Sequence, residues 1–204
     1  MSVEVKICGL TNLEDAQVAL ESGADYLGFV TYAQSKRSIS IEALQALRAE
    51  LPTDARCIGV FVNETRDDVL RAAERCNLYA VQIHGDESAS HFTHMPLPVW
   101  RAIAVSGKGF SPDPSQWPAT RYVADAAVPG EYGGTGESAD WTLSAELSRH
   151  VPLMLAGGLT SDNVAAAIAQ VQPAGVDVAS GVEAEPGHKN HSELTAFIRN
   201  AKNG

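Results

Sequence analysis

The stretch Glu4-Val5-Lys6-Ile7-Cys8-Gly9-Leu10-Thr11 decides the fold. Its alternation puts Val3, Val5 and Ile7 on one face of a strand and Glu4, Lys6 and Cys8 on the other. One face is apolar; the other carries charge and ends in a thiol, so the strand expects two different neighbourhoods. Gly9 breaks it, and Asn12 stands as a helix N-cap with Asp15 three residues on in the capping-box position. The predicted unit is strand, short loop, helix, with Cys8 where the strand's C-terminal end meets the loop. In parallel α/β folds that end carries the chemistry. The competing reading of Cys8 is a small buried apolar residue, as most free cysteines are.

Outward from this unit the pattern repeats. A helix over Leu13–Ser22 is closed by Gly23. Strands are expected at Asp25–Val30, Arg56–Val62, Tyr79–His84, Val99–Val105, Tyr122–Asp125, Pro152–Ala156 and Gly175–Val178. Helices are expected over Ile41–Glu50 behind the cap Ser40, then behind Thr65, where Val69, Leu70, Ala73 and Cys76 keep helical spacing. Further helices follow from Asp140 to about Arg149, from Asp162 to Val171 and from His191 to Lys202, with a weak short one over Glu87–His94. Ser106 to Pro118 holds two glycines and three prolines and predicts no helix, and a glycine-rich loop spans Gly130 to Gly136. Eight strands alternating with helices close a (β/α)₈ TIM barrel, a single α/β domain over residues 1–204. The alternative is an open doubly wound sheet, whose edge strands would need covering.

The chain has 204 residues, 45% of them hydrophobic, enough for a sizeable core. Its formal charge of -10 argues against nucleic acid as a partner, while leaving room for a local cationic pocket that takes a small anion. The three cysteines, Cys8, Cys57 and Cys76, are odd in number and widely spaced, so neither a disulfide framework nor a metal site is expected. The start of the chain is charged and lacks an apolar signal core, and no apolar run approaches the ~18 residues of a membrane span. The expectation is a cytoplasmic protein with no membrane partner.

In a barrel, the loops after the strands share one mouth. Cys8, the Ser35–Arg37 loop, His84, Asp125, Gly157-Gly158 and Ser180-Gly181 arrive there. Gly157, Gly158, Ser180 and Gly181 follow the last two strands, where barrels bind phosphate on backbone N–H groups; the alternative is a tight turn and nothing more. Cys8 and Asp125 would face each other as base and acid, with Lys6 lowering the Cys8 pKa. Alone, Asp125 could equally be a helix cap or a loop acid. Arg37 can clamp a carboxylate in a bidentate way, or be a solvated surface charge. His84 reads either as a structural histidine or as a group of the site. Lys6 and Asp177 lie on strands that become neighbours at closure, so an ion pair inside the barrel is expected, unless Asp177 serves substrate directly.

These residues occur within a longer series of motifs. They include Lys6-Ile7-Cys8-Gly9-Leu10-Thr11, Gly28-Phe29-Val30, Ser35-Lys36-Arg37 and Gly59-Val60-Phe61-Val62-Asn63. They continue with Gln82-Ile83-His84-Gly85, Tyr132-Gly133-Gly134-Thr135-Gly136, Gly157-Gly158-Leu159, Val176-Asp177-Val178-Ala179-Ser180-Gly181-Val182-Glu183 and Pro186-Gly187. In this order, over essentially the whole chain, they resemble the phosphoribosylanthranilate isomerase family. The resemblance implies an Amadori rearrangement of a small phosphosugar substrate in tryptophan biosynthesis, without metal or organic cofactor. It puts the ring-opening acid on Asp125, the base that takes the C2′ proton on Cys8, and the arginine for the anthranilate carboxylate on Arg37. The expected assembly is a monomer or a homodimer. The chain departs from the family pattern in four places: Thr31 replaces an aromatic residue, Ala179 a serine, Lys189-Asn190 after His188 a Lys-Asp pair, and Val123-Ala124 and Ala126 beside Asp125 are smaller than usual. The related histidine-pathway isomerase carries an aspartate where this chain has Cys8. Indole-glycerol-phosphate synthase needs a mouth lysine and a longer N-terminal segment. A non-catalytic phosphosugar-binding protein would have no use for Cys8 and Asp125.

Overall fold

A computed structural model describes residues 3–107, 109–126 and 140–203. The glycine-rich loop expected at residues 130–136 lies outside them. The first half contains β1 (Glu4–Ile7), α1 (Leu13–Glu21), β2 (Tyr26–Val30), α2 (Ile41–Glu50), β3 (Cys57–Phe61), α3 (Arg66–Arg75), β4 (Ala80–Ile83) and a 3₁₀ turn (Ala89–Phe92). The second half contains β5 (Val99–Ser106), β6 (Gly109–Ser111), β7 (Arg121–Ala126), α4 (Trp141–Ser148), β8 (Leu153–Leu155), α5 (Val164–Val171) and β9 (Gly175–Val178). A second 3₁₀ turn (Ser180–Val182), a hairpin of β10 (Glu183–Glu185) and β11 (His188–Lys189), and α6 (His191–Asn203) complete it. The expected caps are in place. Asn12, Ser40, Thr65 and Asp140 accept from the backbone N–H groups of Asp15, Ala43, Asp68 and Leu143.

The strands β1, β2, β3, β4, β5, β7, β8 and β9 pair in parallel in that order, and β9 pairs back with β1. The ring is closed, which removes the edges an open sheet would have left. Alternation then sorts the side chains. Val5, Ile7, Leu27, Phe29, Val81 and Ile83 point outward and pack, fully buried, with Ala16, Ala19, Leu44, Val69, Val164, Leu194 and Phe197 of the helices. Tyr26, Ile58, Ala80, Trp100, Val123, Met154 and Ala156 form a separate apolar cluster. These residues belong to the inward faces, so they plug the barrel. Tyr26 meets Trp100 edge-on at 4.9 Å between ring centroids. At the N-terminal end of the strands Glu4 accepts from the Tyr26 hydroxyl at 2.8 Å and pairs with Arg121 at 2.5 Å, which seals the plug.

Three features differ from the sequence expectations. The weak helix at Glu87–His94 shrinks to the turn Ala89–Phe92. Among its described residues the Ser106–Pro118 stretch forms no helix, as its prolines require, but its start doubles back as β6, antiparallel to β5 with Val105 opposite Phe110. The β10–β11 hairpin was not foreseen. It reverses at Pro186-Gly187, with Gly187 at φ 86°, and pairs Glu183 with Lys189. Both hairpins are too short to show a period. No described helix is long and apolar enough to cross a membrane.

Candidate active site

One cavity at the C-terminal end of the strands brings together every site residue expected from the sequence. Cys8, Arg37, His84, Asp125, Gly157, Gly158, Asp177, Ser180 and Gly181 all line it. Chain alternation explains the inward set. Lys6 and Cys8 continue the inner face of β1, Gln82 and His84 that of β4, and Asp125 follows Val123 on β7.

The expected ion pair is present. Lys6 Nζ donates to Asp177 Oδ2 at 2.9 Å, across the β1–β9 register that sets the two residues side by side. Lys6 is fully buried. Burial alone would depress its pKa, but the facing Asp177 carboxylate and Cys8 outweigh this and leave it raised, so the ammonium stays charged. Asp177 Oδ1 is buried and has no hydrogen-bond partner among the described residues.

Cys8 follows β1 with its N–H bonded to the Val178 carbonyl at 2.8 Å. The expectation that Lys6 lowers its pKa needs correction in the balance. Burial pushes the thiol up more strongly than Lys6, and more weakly Lys189, draw it down, so the resting pKa is raised. His84 sits between Gln82 and Asp125. Gln82 Nε2 lies 3.1 Å from His84 Nδ1, and His84 Nε2 lies 3.9 Å from Asp125 Oδ2. With the Gln82 amide donating, the ring proton is on Nε2 and faces Asp125. Burial, with the cations Lys6 and Arg101 nearby, lowers the His84 pKa to about 3, so the imidazole is neutral and a poor base.

Arg37 is not a solvated surface charge. Its Nε donates to Glu183 Oε1 at 2.8 Å and its Nη2 to Glu183 Oε2 at 2.8 Å. Lys189 Nζ donates to the same carboxylate at 3.0 Å and to the Ala179 carbonyl at 3.0 Å. Burial would raise the Glu183 pKa, but the bonds from Arg37 and Lys189 hold it below the usual value. On the far wall Gly157 and Gly158 both take positive φ, 78° and 64°, which a residue with a Cβ adopts only at a cost. A Cβ on Gly181 would run into the Leu159 carbonyl, so the loops after β8 and β9 can meet here only through a glycine. Ser180 and Gly181 open a 3₁₀ turn, whose first N–H groups have no partner within the turn.

The sequence model described as N-(5'phosphoribosyl)anthranilate (PRA) isomerase matches residues 5–200. The chain belongs to this isomerase family. It is 41% identical to the N-(5'-phosphoribosyl)anthranilate isomerase of Magnetococcus marinus, over 100% of this chain and 99% of that protein. To the phosphoribosyl anthranilate isomerase structure from Thermotoga maritima it is 42% identical, with a TM-score of 0.88 over 99% and 100% of the two chains. A related structure, solved in complex with reduced 1-(o-carboxyphenylamino)-1-deoxyribulose 5-phosphate, is 39% identical with a TM-score of 0.84, covering 99% of this chain and 100% of that one.

The departures from the isomerase pattern at Thr31, Ala179 and Asn190 have local explanations. Thr31 turns away and bonds the Val60 carbonyl at 3.0 Å, while the next residue, Tyr32, lines the cavity and supplies an aromatic ring there. Ala179 keeps its carbonyl on Lys189. Asn190 accepts from the N–H groups of Ser192 and Glu193 at the start of α6, work an aspartate would also do. Tyr32, Gln82, Glu183 and Lys189 escaped the sequence reading. Gln82 was within reach, two residues before His84 on the same strand face. Glu183 and Lys189 acquire their roles only through the hairpin, and nothing local announces it.

Proposed function

We propose that the cavity runs the Amadori rearrangement of N-(5-phosphoribosyl)anthranilate by two proton transfers on separate side chains. Asp125, as a carboxylic acid, gives a proton to the furanose oxygen while the C1′–O bond breaks and the anthranilate nitrogen forms a Schiff base. Cys8, as thiolate, then takes the C2′ proton, and the released electron pair makes the enolamine that ketonises to the 1-amino-1-deoxyribulose 5-phosphate. The observation that carries this reading is the placement of Cys8, just after β1, and Asp125, on β7, around one cavity. Each can act without moving to the other's end of the sugar. The Cys8 proton must leave against the pull of burial, and Lys6 and Lys189 are the charges that favour its leaving.

The remaining groups hold substrate. Backbone N–H groups of Gly158, Ser180 and Gly181 take the phosphate, with Gly157 shaping the turn, and Arg37 takes the anthranilate carboxylate. The orphaned Asp177 Oδ1 offers an acceptor to a sugar hydroxyl. His84 presents its Nε2–H toward Asp125 and the substrate and is a binding group, not a base. All of these side chains come from one chain, so the reading holds for a monomer and for a homodimer. A phosphosugar that also carries a carboxylate does not cross a membrane unaided, which fits a cytoplasmic enzyme. The test is the decay of anthranilate fluorescence when freshly generated substrate is supplied. Turnover at enzyme-like rates supports the reading, and binding without turnover defeats it.

A further inference from the structure

The guanidinium of Arg37 is already held before any ligand arrives. Glu183 takes Nε–H and one N–H of Nη2, at 2.8 Å each, and half-buried contact on this side leaves the Arg37 side chain only 14% exposed. A guanidinium has five N–H groups in a rigid fork. Two are turned to Glu183, and the opposite end of the fork remains for one further planar anion. Glu183 is itself fixed from three sides. Lys189 Nζ donates to Oε1, the Gly187 N–H approaches the same oxygen at 3.3 Å, and the side chain is 5% exposed. The hairpin that carries Glu183 and Lys189 is in turn tied to the loop after β1 and to α1. Thr11 Oγ1 donates to the Gly187 carbonyl at 2.5 Å, and Asp15 Oδ2 accepts from the Lys189 N–H at 2.8 Å. A carboxylate buried between two cations and built on a braced hairpin is an expensive way to neutralise a loop arginine. It makes sense as a means of fixing the direction in which that arginine points.

We propose that Glu183, braced by Lys189, is a positioning residue that aims the free end of the Arg37 fork into the cavity and so sets selectivity for substrates whose amine part carries a carboxylate. The proposal rests on the reading of Arg37 as the carboxylate contact. Glu183 does not touch substrate. It lowers the ordering that Arg37 must undergo when the carboxylate binds, so its effect should be confined to ligands that have one.

The experiment measures binding by calorimetry of two probes, reduced 1-(o-carboxyphenylamino)-1-deoxyribulose 5-phosphate and the same compound lacking the carboxylate. The proteins are wild type, Arg37→Ala, Glu183→Gln, Lys189→Met and the Arg37→Ala/Glu183→Gln double variant. Glu183→Gln should weaken the carboxylated probe by about 10-fold or more and move the other by less than about 2-fold, a difference of about 1 kcal/mol or more. In the Arg37→Ala background it should add nothing, because the group it aims is gone. Lys189→Met should give the same selectivity at smaller size, which keeps the test available if Glu183→Gln folds poorly. Equal weakening of both probes, or a Glu183→Gln loss that persists in the Arg37→Ala background, overturns the positioning role. If Arg37→Ala itself fails to discriminate between the probes, the underlying reading of Arg37 is what has failed.

Discussion

The two ends of the barrel interior are built from the same eight strands and solve opposite problems. At the lower end Tyr26, Ile58, Trp100, Val123 and Met154 fill one another's spaces, and the rim charges Glu4 and Arg121 pair. At the upper end Lys6, Cys8, Gln82, His84, Asp125 and Asp177 crowd together, and two buried oxygens, Gln82 Oε1 and Asp177 Oδ1, have no partner among the described residues. The lower end is packed and paired; the upper end keeps polar atoms unmatched beside an open cavity. Buried polar groups without partners cost stability. The apolar plug and the outer helix-packed layer are what offset that cost.

Mutations should separate the two ends. The largest effect is expected from the proposed acid and base. Asp125→Asn and Cys8→Ser should each lower kcat by ~10² to 10⁴-fold, with KM changed far less and thermal unfolding close to wild type. Steady-state kinetics checks this, and a Cys8→Ser enzyme keeping more than about a tenth of kcat would remove Cys8 from the role of base. His84 would not inherit the role, since a group with a pKa of about 3 holds a C2′ proton poorly.

Next comes the boundary between the ends. Lys6→Met leaves Asp177 buried and unpaired and should cost about 3–5 kcal/mol in denaturant unfolding. Adding Asp177→Leu should recover most of that stability and none of the activity. Recovery of both would mean that the pair has no part in the chemistry. A loss of similar size, about 3–5 kcal/mol, is expected for Trp100→Ala at the lower end, here with kcat of the folded enzyme retained. A Trp100→Ala enzyme that melts normally but turns over slowly would erase the division between plug and mouth.

The smallest effect is in pH. His84 has its pKa lowered from 6.5 to about 3, so between these values the unfolded chain binds a proton that the folded chain refuses. Stability should therefore be full above about pH 7 and fall as pH drops, by up to about 1.4 kcal/mol per unit from this group alone. His84→Asn should flatten that part of the profile in urea titrations run from pH 7 to pH 5. An unchanged slope would place the titration elsewhere.

How far the sequence reached follows the same division. Strands and caps are local facts: a period of two, a cap residue, a breaker. All eight barrel strands were legible, along with the caps Asn12, Ser40, Thr65 and Asp140. Alternation on β1 even carried through to the Lys6–Asp177 pair, because closure makes β1 and β9 neighbours. That Cys8, Asp125 and the glycines meet at one cavity was legible from their positions at strand ends. What stayed hidden was whatever depended on a short element without a period or on the balance of opposing effects. The hairpin that brings Glu183 to Arg37 is of the first kind. The Cys8 thiol is of the second: Lys6 was visible in the sequence, but the depth of burial that overrides it was not.

The Lys6–Asp177 pair has a bearing on how the chain is made. The partners stand 171 residues apart. While the chain is being synthesised, β1 emerges first and carries an ammonium on the face that must go inside. Until β9 follows, that charge has nothing to meet, and sinking it into a partial sheet is unfavourable. Early strands are thus discouraged from curling shut on themselves, and the last pairing of the ring is also the one that neutralises its interior. The register that joins the first strand of the ring to the last is therefore also the one that gives Lys6 its counter-charge.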